Sequence, residues 1–339
     1  MSRKWRRRRK VRPRFVLIAG IVIVILFVYH MTSARSTAAS LSPSHATSPS
    51  TAKKSSHPTT VAGHWSTAPF TLPQPLEGIA AAPNGHTIYI AGGLNQTSTS
   101  TVYAITSSGV RLVANLPTTF HDAGAAVLNG TLYVMGGGQV SSQAQAWRMS
   151  LNPPGTIRTA PSLFSPLSDF TAVSFQGAIY LVGGHGAGAP SNRVWKYVPN
   201  GQDTVFATLP HGVRYAAVAS NGRQIFVAGG LTATGATSAA AEVDLKTGAV
   251  TRLPNLPYAV QYAAGAVING RFMVAGGEGT GGFTRRVEIY RPHHHVWQAG
   301  PALPAAAGDG ALAPLGSGAL WIGGQNGQRP LNSIWQYHP

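Results

Sequence analysis

The chain has only nine carboxylates, Glu77, Asp122, Asp169, Asp203, Glu242, Asp244, Glu278, Glu288 and Asp309, and no cysteine. Without thiols there are no disulfides, thiolate metal sites, iron–sulfur clusters or cysteine nucleophiles. Any ligand chemistry must come from carboxylates, tyrosines and a few basic or amide neighbours, and their spacing is regular. Fourteen residues before the first glycine of five Gly-Gly doublets stand Asp122, Asp169, Tyr215, Tyr262 and Asp309. In the first unit Glu77 stands at fifteen, read as one extra residue in the PNG turn. The position just before holds His121, Arg214 and Gln261 in three of the other units. If these positions converge, four acids and two tyrosines form a polar, negative ring. Clustered carboxylates attract a cation or a hydroxyl-rich ligand, and a tyrosine face stacks on a sugar or receives a cation. The same groups could instead cap strand ends or hold channel water. The candidate binding residues are therefore Glu77, Asp122, Asp169, Tyr215, Tyr262 and Asp309, with Arg214 and Gln261 assisting. No catalytic residue, cofactor or metal is assigned.

Other polar groups point to less. His293, His294 and His295 are consecutive, and neighbours on an extended chain face different sides, so one metal cannot easily use all three. Glu278, Arg285 and Arg286 fall in a variable loop. Asn95-Gln96-Thr97 and Asn129-Gly130-Thr131 match the glycosylation acceptor, a short pattern that matters only in an exported chain whose host glycosylates.

The elements that must position the ring repeat along the chain. An apolar run ending in a glycine doublet occurs six times: TIYIAGG, TLYVMGG, AIYLVGG, QIFVAGG, RFMVAGG and ALWIGG, at intervals of 44, 47, 46, 47 and 47 residues. A fixed period of this size marks a propeller or solenoid. Each unit has a small-residue strand before the doublet run, a third strand after a variable loop (STVYAI, AQAWRM, NRVWKYV, AAEVDL, RRVEIY, NSIWQY) and a short segment ending near proline. In the second unit that last segment is ragged (TIRTAPSLFSP). Val, Ile, Tyr, Phe and Trp fill these runs, and Asn-Gly or similar turns join the first two, as in β-hairpins. None of the doublets precedes a helix, so none is a phosphate loop.

This pattern resembles the Kelch repeat. The fifth unit matches it best, with Gly276-Gly277, then Val287-Glu288-Ile289-Tyr290, then Trp297 and Leu303-Pro304. The resemblance covers residues 65–339. It departs from the family pattern at Val205, where tryptophan is usual, and at Glu242-Val243-Asp244, where aromatics are common; looser packing is expected in those two units. It implies an all-β, six-bladed Kelch-type β-propeller over 64–339. The chain ends on a third strand, IWQY, while HWSTAPFTLP at 64–73 has fourth-strand character, so the N-terminal strand is expected to close the last blade.

The N-terminus carries a different message. Of 26 basic residues against 9 acidic, a formal net charge of +17, residues 1–64 hold 12 basic and no acidic ones. The remainder has 14 basic and 9 acidic residues, a net of only +5. The excess is therefore no sign of a nucleic-acid-binding domain. Nine basic side chains within 1–14 precede a charge-free stretch of twenty residues, 15–34. Twenty helical residues span roughly the 30 Å core of a bilayer, and basic flanks stay cytoplasmic. Residues 15–34 are read as a transmembrane signal-anchor, with 1–14 as a cytoplasmic tail. Thr32-Ser33-Ala34 and Ser36-Thr37-Ala38 would allow cleavage as a signal peptide, giving a secreted protein. Residues 35–63, rich in Ser, Thr and Pro, are a flexible linker that cannot bury a core.

The expectation is a membrane-tethered, extracytoplasmic, monomeric propeller that binds a protein or glycan without catalysis. This role is the one the Kelch resemblance mostly implies. Some Kelch-like propellers oxidise sugars with copper and a tyrosine–cysteine link, which a cysteine-free chain cannot make. Others isomerise sialic acid with polar groups at the channel mouth. A sialic acid mutarotase- or epimerase-like enzyme is accordingly the alternative.

Overall fold

The computed structural model describes residues 62–339. The basic tail, the 15–34 span and nearly all of the 35–63 linker lie outside the described residues, among which no helix is long and apolar enough to cross a membrane. The described chain is all β apart from one 3₁₀ turn, Pro292–His294, which holds two of the three consecutive histidines; His295 follows in the left-handed region.

Alternating Val, Ile, Tyr and Phe runs, separated by Gly- and Asn-containing turns, fold into six antiparallel blades of four main strands each, with short two-residue strands added in the loops after the doublets of four blades. The innermost strands are Ala80–Asn84, Gly124–Leu128, Ser168–Phe175, Ala217–Ser220, Ala264–Ile268 and Ala311–Leu315. Each is followed outward by its hairpin partner, which runs into or through a glycine doublet, and then by a third and a fourth strand. The second blade, ragged in sequence, has a regular fourth strand at Ile157–Ala160, paired from Ile157↔Met149 to Ala160↔Ala146. The sixth blade takes its outermost strand from the other end of the chain: His64–Thr67 pairs antiparallel with Ile334–His338, from His64↔His338 to Thr67↔Trp335. Only 64–67 of the 64–73 segment is strand. Beyond it the N–H groups of Ala68, Leu72 and Leu76 donate to the carbonyls of Ile334, Asn332 and Leu331.

A four-stranded sheet of short strands cannot bury both faces alone, and the packing shows how each blade is covered. The buried apolar residues fall into six clusters, each shared by two neighbouring blades. Ile88 and Tyr103 of the first blade meet Leu320 and Ile334 of the sixth, and Phe226 of the fourth stacks on Phe272 of the fifth at 5.4 Å. The circle is closed, so no sheet face is left open and the edges are short. Polar ends of outer aromatics tie blade to blade. Trp65 Nε1–H donates to Pro301 O at 2.9 Å, Trp297 Nε1–H to Pro254 O at 2.7 Å and Tyr197 O–H to Pro161 O at 2.8 Å. Where the third unit lacks its tryptophan, Val205 is 40% exposed, and Phe164 stacks on Trp195 nearby at 5.8 Å.

The doublets are scaffold. In each, the second glycine's N–H donates to a carbonyl of the connection that enters the next blade, as Gly230 N–H does to Val260 O at 2.7 Å. Both glycines have positive φ, 64° and 99° at Gly229 and Gly230, and a Cβ on Gly229 would stand 2.7 Å from the Val260 carbonyl. Only glycine satisfies both demands without strain.

Candidate functional site

The residues of the expected ring do come together, with one exchange. Five of them, Asp122, Asp169, Tyr215, Tyr262 and Asp309, sit at the inner ends of their blades with φ of 53°, 62°, 52°, 58° and 55°. The sixth place belongs to Gly78, φ 56°, and not to Glu77. The first hairpin has no extra residue: Asn84 pairs with Thr87, so fourteen residues before Gly92 is Gly78. Glu77 is one step earlier and bridges to Leu94, as His121, Arg214 and Gln261 bridge to Gly138, Leu231 and Glu278.

The six ring residues are joined backbone to backbone. The N–H of Asp122 donates to Gly78 O, Asp169 to Asp122 O, Tyr215 to Asp169 O, Tyr262 to Tyr215 O, Asp309 to Tyr262 O and Gly78 to Asp309 O, all between 2.8 and 3.1 Å. This is a closed circle of amide hydrogen bonds around the propeller axis. The left-handed backbone at every member makes it possible, and it satisfies polar groups that strand ends otherwise leave orphaned. The strand-capping role falls to the backbone and does not occupy the side chains.

Those side chains interact across the axis. Tyr215 O–H donates to Asp122 Oδ2 at 3.2 Å, passing the intervening blade. Arg214 forms an ion pair with Asp169, Nη1 to Oδ2 at 3.0 Å, and its guanidinium lies 5.0 Å from the Tyr215 ring centre. The Tyr215 and Tyr262 rings are 4.3 Å apart and tilted by 40°. His121 Nε2 is 3.8 Å from Asp122 Oδ2. A Cβ at Gly78 would meet Asp122 Oδ1 at 2.6 Å, so the glycine leaves the room that this carboxyl occupies. Gln261 is less involved: its Nε2 donates to Glu278 Oε2 at 2.9 Å, away from the ring.

Burial sets the protonation of this cluster. Asp122 is pushed up to about 7 by burial first, then by the Asp169 carboxylate; the Tyr215 hydroxyl and Arg214 oppose this, and Glu77 adds to it. Asp309 is raised well above the usual carboxylate range by burial and by Asp122, with the Gln325 amide opposing. Burial also raises Glu77 and lowers His121. Tyr262 is raised to about 12 and Tyr215 further still, both chiefly by burial.

The ring forms one end of a cavity of about 330 Å³ on the axis. Its walls are the six innermost strands, down to Pro83, Ser174, Gly222, Val267 and Pro314 at their hairpin ends. The wall residues are mostly alanine, glycine and valine, which keeps space on the axis that larger side chains would fill. The cavity runs from the ring toward the hairpin turns, and Glu77, His121, Arg214 and Gln261 are outside its lining. The small residues at these wall positions, rather than any charged residue, are the sequence sign of it.

Comparison with known proteins agrees with this architecture. The Kelch motif matches residues 166–202, the third blade. No curated protein matches the chain. A solved structure described as "Structure of YjhT" superposes with a TM-score of 0.68 at 17% identity, covering 78% of this chain and 94% of that one. The described chain is thus a six-bladed β-propeller whose third blade matches the Kelch motif.

Proposed function

We propose that this protein is a membrane-tethered, extracytoplasmic propeller that binds a glycan or a protein-borne group without transforming it. One observation carries the binding reading: an axial cavity of about 330 Å³, held open by small side chains, ends on converging carboxyls and tyrosines. Concave, mostly apolar spaces with a few convergent polar groups are where small ligands bind. The tether rests on the basic cluster followed by twenty charge-free residues. The test is a screen of the purified full-length chain against glycans and cell-wall fragments, read by thermal shift and calorimetry. It is repeated with Asp122→Asn combined with Asp169→Asn. A hit whose affinity falls at least tenfold in the folded double variant supports the reading. Unchanged affinity would assign the ring to structure alone and send the search to the variable loops that follow the doublets.

A second reading is a sugar-isomerising enzyme, and the unlike environments of two carboxyls favour it. Asp122 holds a proton near neutrality, while Asp169 is ion-paired with Arg214. Such a pair divides acid and base roles. In mutarotation the base takes the anomeric hydroxyl proton while the acid protonates the ring oxygen, and the reverse transfers close the other anomer. A neutral sugar suits the site better than sialic acid, whose carboxylate would face Asp122 and Asp309 with only Arg214 to receive it. Anomer exchange followed by NMR decides this: no acceleration over buffer for neutral sugars or sialic acid removes the enzyme.

A further inference from the structure

We infer that the axial cavity selects a compact protonated amine, which enters from the hairpin-turn end. This rests on the reading that the cavity is a binding site, and adds the ligand's charge and its route.

Three carboxyls, Asp122, Asp169 and Asp309, line the cavity, and no Lys, Arg or His does. Asp169 has its cation, Arg214, from outside the lining. Among the described residues, Asp122 is in contact with the Tyr215 hydroxyl and, at 3.8 Å, with a His121 imidazole that burial disfavours charging, while Arg214, held by Asp169, acts on it without contact. Asp309 has only the Gln325 amide. Among the described residues, neither of these two enclosed carboxyls has a lysine or arginine in contact. Enclosed carboxyls without partners hold their protons when nothing is bound, and a bound cation offsets the cost of ionisation. The tilted Tyr215–Tyr262 pair adds aromatic faces suited to an ammonium group. Ala and Gly walls accept an uncharged stem but offer little to a second charge. The route follows from the ring: the amide circle and the side chains crossing it narrow the ring end, whereas the lining continues to Val267 and Pro314 at the hairpin end.

The absence of cysteine permits a clean test with the full-length chain. Thr171→Cys puts one thiol on the cavity wall two residues after Asp169, and Ser108→Cys supplies an exposed reference. Each is treated with aminoethyl methanethiosulfonate, a cation, and its neutral hydroxyethyl analogue. The thiolate attacks the thiosulfonate sulfur, forms a mixed disulfide and releases methanesulfinate. The cation-to-neutral rate ratio at the wall thiol should exceed the reference ratio at least tenfold at pH 8. Adding Asp122→Asn with Asp309→Asn should return it to the reference. Ethanolamine, but not ethylene glycol, should slow the neutral reagent at the wall thiol. Val267→Trp should slow both reagents there. A ratio equal to the reference, or a wall thiol inert to both reagents in folded protein, overturns the amine site. Equal effects of ethanolamine and ethylene glycol do so too. Rates untouched by Val267→Trp overturn the route. If Thr171→Cys does not fold, Ala216→Cys on the same lining serves in its place. A barren glycan screen leaves this result standing, and a missing cation preference leaves glycan binding standing.

Discussion

At the scale of single residues, the ring position asks for two things at once: a left-handed backbone and a side chain the axis can hold. Glycine meets the first freely, Asp tolerates it through its short polar side chain, and for Tyr it costs about 1–2 kcal/mol. Gly78→Ala should therefore destabilise the propeller by about 1–3 kcal/mol, because the new Cβ would also meet the Asp122 carboxyl at 2.6 Å; urea unfolding measures it. The pH dependence has a definite sign. Asp122 and Asp309 bind protons more tightly folded than unfolded. Their contribution to stability is complete below the ordinary carboxylate pKa and is lost as pH rises through the folded values, which for Asp122 is about 7. The melting temperature should fall between pH 4 and pH 8, and Asp122→Asn should flatten that slope; an unchanged slope would mean that this carboxyl is already ionised. Asp122, Asp169, Tyr215, Tyr262 and Asp309 were legible in the sequence because a constant distance to a doublet survives any loop length. Gly78 was not, since a residue without a side chain offers no chemistry to count and the neighbouring Glu77 does. The Arg214–Asp169 pair and the direction of the cavity depend on where side chains of a left-handed backbone point, and no spacing encodes that.

At the scale of elements, strand identity was readable because apolar runs, turns and doublets recur with the blade period. Even the ragged second unit makes its fourth strand, since pairing with the Trp147 strand needs backbone groups more than any particular side chain. The boundaries were less readable: the first blade's outer strand extends to Phe120, beyond the proline that closes the segment in sequence. The sixth blade depends on His64–Thr67. A chain beginning at residue 75 would expose the Ile334–His338 edge, and it should aggregate or melt well below one beginning at residue 60. Equal melting temperatures with both chains monomeric would show the strand to be dispensable. A milder variant, Trp65→Phe, removes the donor to Pro301 O and should cost about 1 kcal/mol, read as a lower urea midpoint with an unchanged slope.

At the scale of the whole molecule, the charge asymmetry and the circle of blades make separate demands. Protease added to spheroplasts should release a fragment close in size to 65–339; a fragment protected until the membrane is broken would reverse the proposed topology. The circle itself has a mechanical side. The chain enters the propeller at His64, at the hairpin end of the outermost strand, and is gripped by the pairs from His64↔His338 to Thr67↔Trp335. Tension on the preceding chain, directed away from the hairpin end, runs along that strand and strains all of these bonds at once, in shear. Tension directed outward from the axis strains them one after another, beginning at His64. The closure is therefore a clasp with a direction: it holds against an axial pull and peels under a lateral one, and the sixth blade is where the circle would first part.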